Sequence, residues 1–251
     1  MPDVFAQVLA RPDLHWILAA CLIGGIVRGF SGFGTALIVL PVAARLMDPV
    51  AAIVMVVVMD AFGPLPLMAQ AVRDSRLADI RRLVMGMIVT LPVGLSLLLI
   101  MQADIFRYAV SVIALLLLFC LICGFRYRGE LRSSFLYGVG ALSGFTGGFA
   151  GVPGPPVILI YMASTASVRV VRANATIFLY CFDLLILFSF WLSGRLDGAA
   201  VALGIAAAFP VVLGNLVGNA IFSRGHERVY RAVAYVLIAT AAISGLPLWD
   251  V

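Results

Sequence analysis

The sequence predicts an all-α integral membrane protein. It has two four-segment repeats, inverted relative to each other, with broken, re-entrant first and fifth hydrophobic segments. Three observations carry this expectation. Hydrophobic residues make up 63% of the 251 and charged residues 12%, against about half and about a quarter in soluble domains. Apolar stretches long enough to cross a hydrocarbon core of ~30 Å recur from end to end. Finally, Gly29-Phe-Ser-Gly-Phe-Gly34, followed by apolar residues to Pro41, returns as Gly144-Phe-Thr-Gly-Gly-Phe149 with a run to Pro156; both ends are offset by 115 (144 − 29 and 156 − 41).

In chain order the hydrophobic segments are 14–47 (broken), 49–70, 82–102, 105–125, 133–167 (broken), 170–193, 198–223 and 229–248. Further echoes tie the halves together. Ser75-Arg-Leu77 pairs with Gly194-Arg-Leu196, Leu91-Pro92-Val93 with Phe209-Pro210-Val211, and Phe106 to Val110 with Tyr230 to Val233. No polar stretch is long enough for a soluble domain. A single transmembrane domain therefore occupies 1–251, with repeat 1 at about 14–126 and repeat 2 at about 132–249.

Arginine placement discriminates between topologies. All 17 basic residues are arginine. If each broken segment crosses once, the loop arginines divide nine to seven. If each is a hairpin returning to its own side, one face holds Arg11, Arg45, Arg107 and Arg195 and the other holds the remaining twelve. The second division obeys the positive-inside rule. Arms of about 15 residues, roughly 22 Å as helix, are too short to span. Three crossings per half follow, and with them inverted repeats and both termini outside the cytoplasm. The net charge of +5 then reflects cytoplasmic loops, and nucleic acid is not an expected partner.

A duplicated, broken hydrophobic segment points to the binding site of a secondary transporter. Non-helical backbone at membrane depth must be shielded by protein or line a cavity. Gly29, Gly32 and Gly34, with Gly144, Gly148 and Gly151, are expected to turn the chain there, and Pro156 to open a new helix. Each second arm then starts near mid-membrane with its positive dipole end in the site, a ready anion site. Close helix packing through small residues is the competing reading of the same glycines.

Arg28 abuts the first motif, where an uncompensated charge is costly. It either snorkels to an interface, pairs with a carboxylate, or binds an oxyanion through its planar fork. Asp60 and Asp183 are the carboxylates inside apolar helices. Each is a candidate proton carrier, or else a structural partner of Arg28 or a helix cap. Among hydroxyls, Ser31 and Thr146 lie in the expected breaks and Thr35 adjoins one. Asn174, Asn215 and Asn219 either face a cavity or bond between helices.

Several chemistries are set aside. Gly29-Phe-Ser31-Gly32 matches a rhomboid-protease G-x-S-G, but neither His15 nor His226 lies within an apolar helix to activate the serine. Walker A and H-E-x-x-H motifs are absent from the sequence. Cys120 and Cys123 have metal-site spacing without a second pair. No enzyme activity, metal or other cofactor is expected.

The two glycine motifs, with the apolar run ending in proline and the four-plus-four segment plan, resemble the TauE/SafE family of sulfite-exporter-like membrane proteins over essentially the whole chain. The match is firmest at Gly29, Gly32, Gly34, Gly144, Gly148 and Pro156. The resemblance implies a bacterial inner-membrane secondary transporter that exports small sulfur-containing anions, sulfite or organosulfonates, with protons as coupling ion. Arg28 and the two helix starts would then hold the anion. A passive anion channel and a non-transporting membrane enzyme or assembly protein are the alternatives. The oligomeric state is not written in the sequence.

Overall fold

The computed structural model describes residues 10–123, 132–164, 166–223 and 227–248. Among them every regular element is a helix: α1 Leu14–Ser31, α2 Thr35–Leu46, α3 Pro49–Phe62, α4 Leu65–Asp74, α5 Leu77–Ile100, α6 Ala103–Ile122, α7 Ser133–Ala150, α8 Gly154–Ala163, α9 Val168–Leu192, α10 Gly198–Ser223 and α11 Glu227–Gly245. Five are long and apolar enough to cross a membrane, namely α1, α5, α6, α9 and α10, or six if α3 and α4 form one bent span. The chain is a multi-pass helical membrane protein.

Both expected breaks exist, and glycine makes them. α1 ends where Gly32 takes φ 86° and returns its N–H to the Arg28 carbonyl. Gly34, at φ 114°, starts α2. These left-handed conformations are costly for any residue with a Cβ. α7 ends the same way at Gly151, φ 68°, and Pro153 precedes α8.

Two expectations need correction. The arms are unequal: α1 and α7 have 18 residues each, whereas α2 has 12 and α8 has 10. At 1.5 Å per residue only the second arms, ~18 and ~15 Å, are too short to span. The segment expected at 49–70 is also two helices, bent by 71° between α3 and α4. Gly63 and Pro64 sit in that bend, and proline cannot donate the helical hydrogen bond that a continuous helix needs there. α9 in the second half is continuous.

Two helix pairings recur in both halves. α5 lies on α7 as α10 lies on α1, and α2 on α11 as α8 on α6. The α5–α7 and α1–α10 seams are built on glycines. A Cβ at Gly86, Gly140, Gly144 or Gly148 would come within 3.0 Å of the opposing backbone, as would one at Gly25, Gly29, Gly214 or Gly218. Without a hydrophobic driving force between helices in lipid, such backbone approach gains the dispersion contacts that hold them.

The ends of the bundle are tied by polar groups. Arg11 donates to the Leu46 carbonyl (3.1 Å), which sets the start of α1 beside the end of α2. Arg45 and Arg107 bond the carbonyls of Ser244 and Gly245 (3.1 and 3.3 Å), the last turn of α11, where orphan carbonyls need donors. In another cluster Asn174 accepts from the Arg76 N–H (2.8 Å) and donates to the Tyr161 hydroxyl (2.9 Å). Arg169 approaches Asp74 at 3.9 Å.

Candidate functional site

Three helices deliver three buried charges to one point. Arg28 stands in the last turn of α1, one turn before the break. Asp60 stands in the last turn of α3 before its bend, and Asp183 lies midway along α9. Each is only 4% exposed. Arg28 Nη1 pairs directly with Asp60 Oδ2, and Arg28 Nη2 is 3.8 Å from Asp183 Oδ2. Arg28 therefore does not snorkel.

The trio is under-satisfied. Arg28 Nε and Nη2, Asp60 Oδ1 and Asp183 Oδ2 are buried without a protein hydrogen bond. The Thr35 hydroxyl approaches Asp60 but forms no bond of normal geometry. Buried charged groups left this way cost free energy unless something else satisfies them. The formal charge, one arginine against two carboxylates, is −1 when all three are ionised.

Two cavities flank the trio. The inner one, of ≈ 30 Å³, is walled by both helix breaks (Gly34 to Leu37, Gly151 to Pro155) and by Arg28, Asp60 and Asp183; it has room for about one water. The outer one is a vestibule of ≈ 530 Å³, lined by Arg28, Gly29, Gly32, Gln70, Asp74, Arg169, Arg172, Thr176, Asn215 and Asn219, among others. Arg28 is part of both walls. Arg172 is held across the vestibule by donating to the Gly29 carbonyl and to Asn219 Oδ1, the latter at 3.1 Å.

The two helix starts are not equivalent as anion sites. The first turn of α2, Thr35-Ala36-Leu37, keeps all its N–H groups, the donors an anion needs. The first turn of α8 reads Gly154-Pro155-Pro156, and its two prolines carry no N–H. The expected pair of helix starts is therefore unequal in donors, the first offering more N–H groups than the second.

The other expected residues divide. Arg28, Gly34, Thr35, Asp60, Gly151 and Asp183 meet at the inner cavity, and Gly29 and Gly32 line the vestibule. Ser31 caps the break, its hydroxyl bonded within 2.7 Å to the carbonyls of Val27 and Phe33. Thr146, expected in a break, sits inside α7 and bonds back to the Leu142 carbonyl (3.0 Å). Gly144 and Gly148 lie within α7 against α5, and Pro156 is buried in the first turn of α8. For these last four the structure supplies packing or helix geometry in place of a cavity wall.

Arg172 was missed as a site residue. It falls within the segment expected at 170–193, so an arginine inside an apolar run was the available signal. Asn215 and Asn219 line the vestibule, whereas Asn174 bonds between helices.

The family model described as Sulfite exporter TauE/SafE matches residues 17–245. Neither a curated protein nor a solved structure matches the chain.

Proposed function

Because the chain belongs to the sulfite exporter TauE/SafE family, we propose that it is a proton-coupled secondary transporter exporting sulfite or organosulfonates across a bacterial inner membrane. The observation that carries this reading is the buried Arg28, shared by a small cavity of ≈ 30 Å³ and a larger one of ≈ 530 Å³. An arginine so placed offers the bidentate recognition that sulfonate and sulfite oxygens accept. The N–H groups at the start of α2 add a second set of donors.

In this reading α1–α2 and α7–α8 are re-entrant hairpins and the two halves are inverted repeats. The bond from Arg11 to Leu46 supports the first hairpin, and the matching α5–α7 and α1–α10 pairings support the repeat. The vestibule, carrying Arg169 and Arg172, opens on the arginine-rich face. By the positive-inside rule that face is cytoplasmic, which suits a protein that receives its anion from within the cell.

Two distinct cavities of ≈ 530 and ≈ 30 Å³ that share Arg28 favour an occluding carrier over an open pore. Protons are the coupling ion because Asp60 and Asp183 face the same arginine, and buried carboxylates in transporters serve as proton relays. Reconstitution in liposomes with labelled sulfite or methanesulfonate tests the proposal. Saturable flux that cold substrate accelerates from the far side is expected. Flux linear in concentration would mark a channel, and no flux of either anion would remove the transport function.

A further inference from the structure

We infer that Asp60 and the transported anion are alternative counter-ions of Arg28, so that proton and anion bind together and move in the same direction. The inference rests on the reading of this site as an anion site and adds the order of events and the charge of the cargo.

Arg28 holds Asp60 through Nη1, while Nη2 and Nε, buried and without a hydrogen bond, belong to a side chain that also walls the vestibule. The guanidinium stays charged throughout. While Asp60 is ionised, its carboxylate occupies the arginine, and a second anion would add uncompensated charge to a buried site. When a proton from solvent converts the Asp60 carboxylate to the acid while Asp183, 3.8 Å from Arg28, is also neutral, the pair loses its attraction and Arg28 is left as an unbalanced cation. An anion entering from the vestibule then takes the carboxylate's place. The Asp60 carboxylate and the anion compete for Arg28 as like charges, so the proton that neutralises Asp60 and the anion favour each other's binding.

Other groups face this exchange and must be counted. From α1 the Cys21 thiol lies within electrostatic reach of Asp60. From α9 come Asp183 and, beside it, Cys181. α2 offers the Thr35 hydroxyl and α10 the non-titrating Asn215. Arg169, Arg172 and Asp74 stand in the vestibule. With one proton on Asp183 the trio is neutral. A second proton, on Asp60, makes it +1, and one monovalent anion restores neutrality. With Asp183 in that protonated state, the cargo is a singly charged oxyanion, an organosulfonate or bisulfite, moved with one proton.

A direct consequence concerns direction. Coupled this way, an inward proton gradient opposes export, which proceeds only when the outward anion gradient exceeds it. Proton–anion exchange in opposite directions is incompatible with this site.

The test is proton uptake on binding, measured with the full-length wild-type protein in weakly buffered detergent and methanesulfonate, which stays monovalent across the neutral range. One proton taken up per anion bound is expected, with affinity falling tenfold per pH unit once Asp60 is ionised. Asp60→Asn should bind methanesulfonate with no proton uptake and no such pH dependence. Binding by the wild type without proton uptake, or with proton release, would overturn the inference while leaving the anion site in place; the wild-type titration decides this even if the variant does not fold. Failure of both methanesulfonate and sulfite to bind at any pH would remove the anion site itself, and this inference with it.

Discussion

Arg28, which lines both cavities, forms a direct ion pair with Asp60, which lines the inner one, and both side chains are almost wholly buried. Two charges are placed there at the cost of desolvation, which hydrophobic residues of similar volume would avoid. The family membership and the unsatisfied guanidinium nitrogens are what support the transport role proposed for the pair.

Removal of one partner should be costly. Arg28→Ala leaves Asp60 buried without its cation and should destabilise the protein by about 3–5 kcal/mol, read as a lower thermal midpoint in detergent. Adding Asp60→Asn should recover much of that stability without restoring anion flux. Recovery of flux in the double variant would show that Arg28 is not an anion ligand.

The first break depends on glycine at a defined backbone angle. At Gly34, φ is 114° and an added Cβ would meet Val27 at 2.8 Å. Gly34→Ala should cost ~1–2 kcal/mol or more in backbone strain. Gly138→Ala serves as the control: it is helical, with nothing within 4 Å of a new Cβ, and should gain up to about 1 kcal/mol from helix propensity. Thermal unfolding of the two variants compares them directly.

Gly144 and Gly148 should behave as packing residues. Leucine at either would force α5 and α7 apart and lower the midpoint, yet the folded fraction should bind anion with unchanged affinity. Thr146→Val removes a hydroxyl bonded within its own helix and should leave flux within about twofold of wild type. A selective loss of anion affinity in any of the three would return them to the site.

Access to the site should be one-sided in this conformation. In a cysteine-free background, Gln70→Cys and Thr176→Cys in the vestibule should react with a membrane-impermeant thiol reagent applied from the arginine-rich face. Val56→Cys, 2% exposed beside the inner cavity, should not react from either face. Labelling of residue 70 from the opposite face would reverse the assigned orientation.

The charged part of the site was legible because it violates the local rule. An arginine and two aspartates in otherwise apolar helices need partners, and the structure brings those three together. The glycine-rich second motif was misread in part because glycines four apart serve both a broken helix and a close helix seam. Gly144 and Gly148 do the second, and the break waits until Gly151. The bend between α3 and α4 was missed although Gly63-Pro64 is a strong interruption signal, since the hydrophobic run continues through it. Which cavity each group faces depends on how distant helices cross, and no spacing within one segment encodes that.

The most direct test of the central claim is methanesulfonate accumulation in proteoliposomes under an imposed pH gradient, with the membrane potential clamped at zero. The Arg28–Asp60 account predicts accumulation on the alkaline side, lost when the gradient is collapsed and lost in Arg28→Ala. Accumulation on the acidic side, or flux indifferent to the gradient, would contradict it.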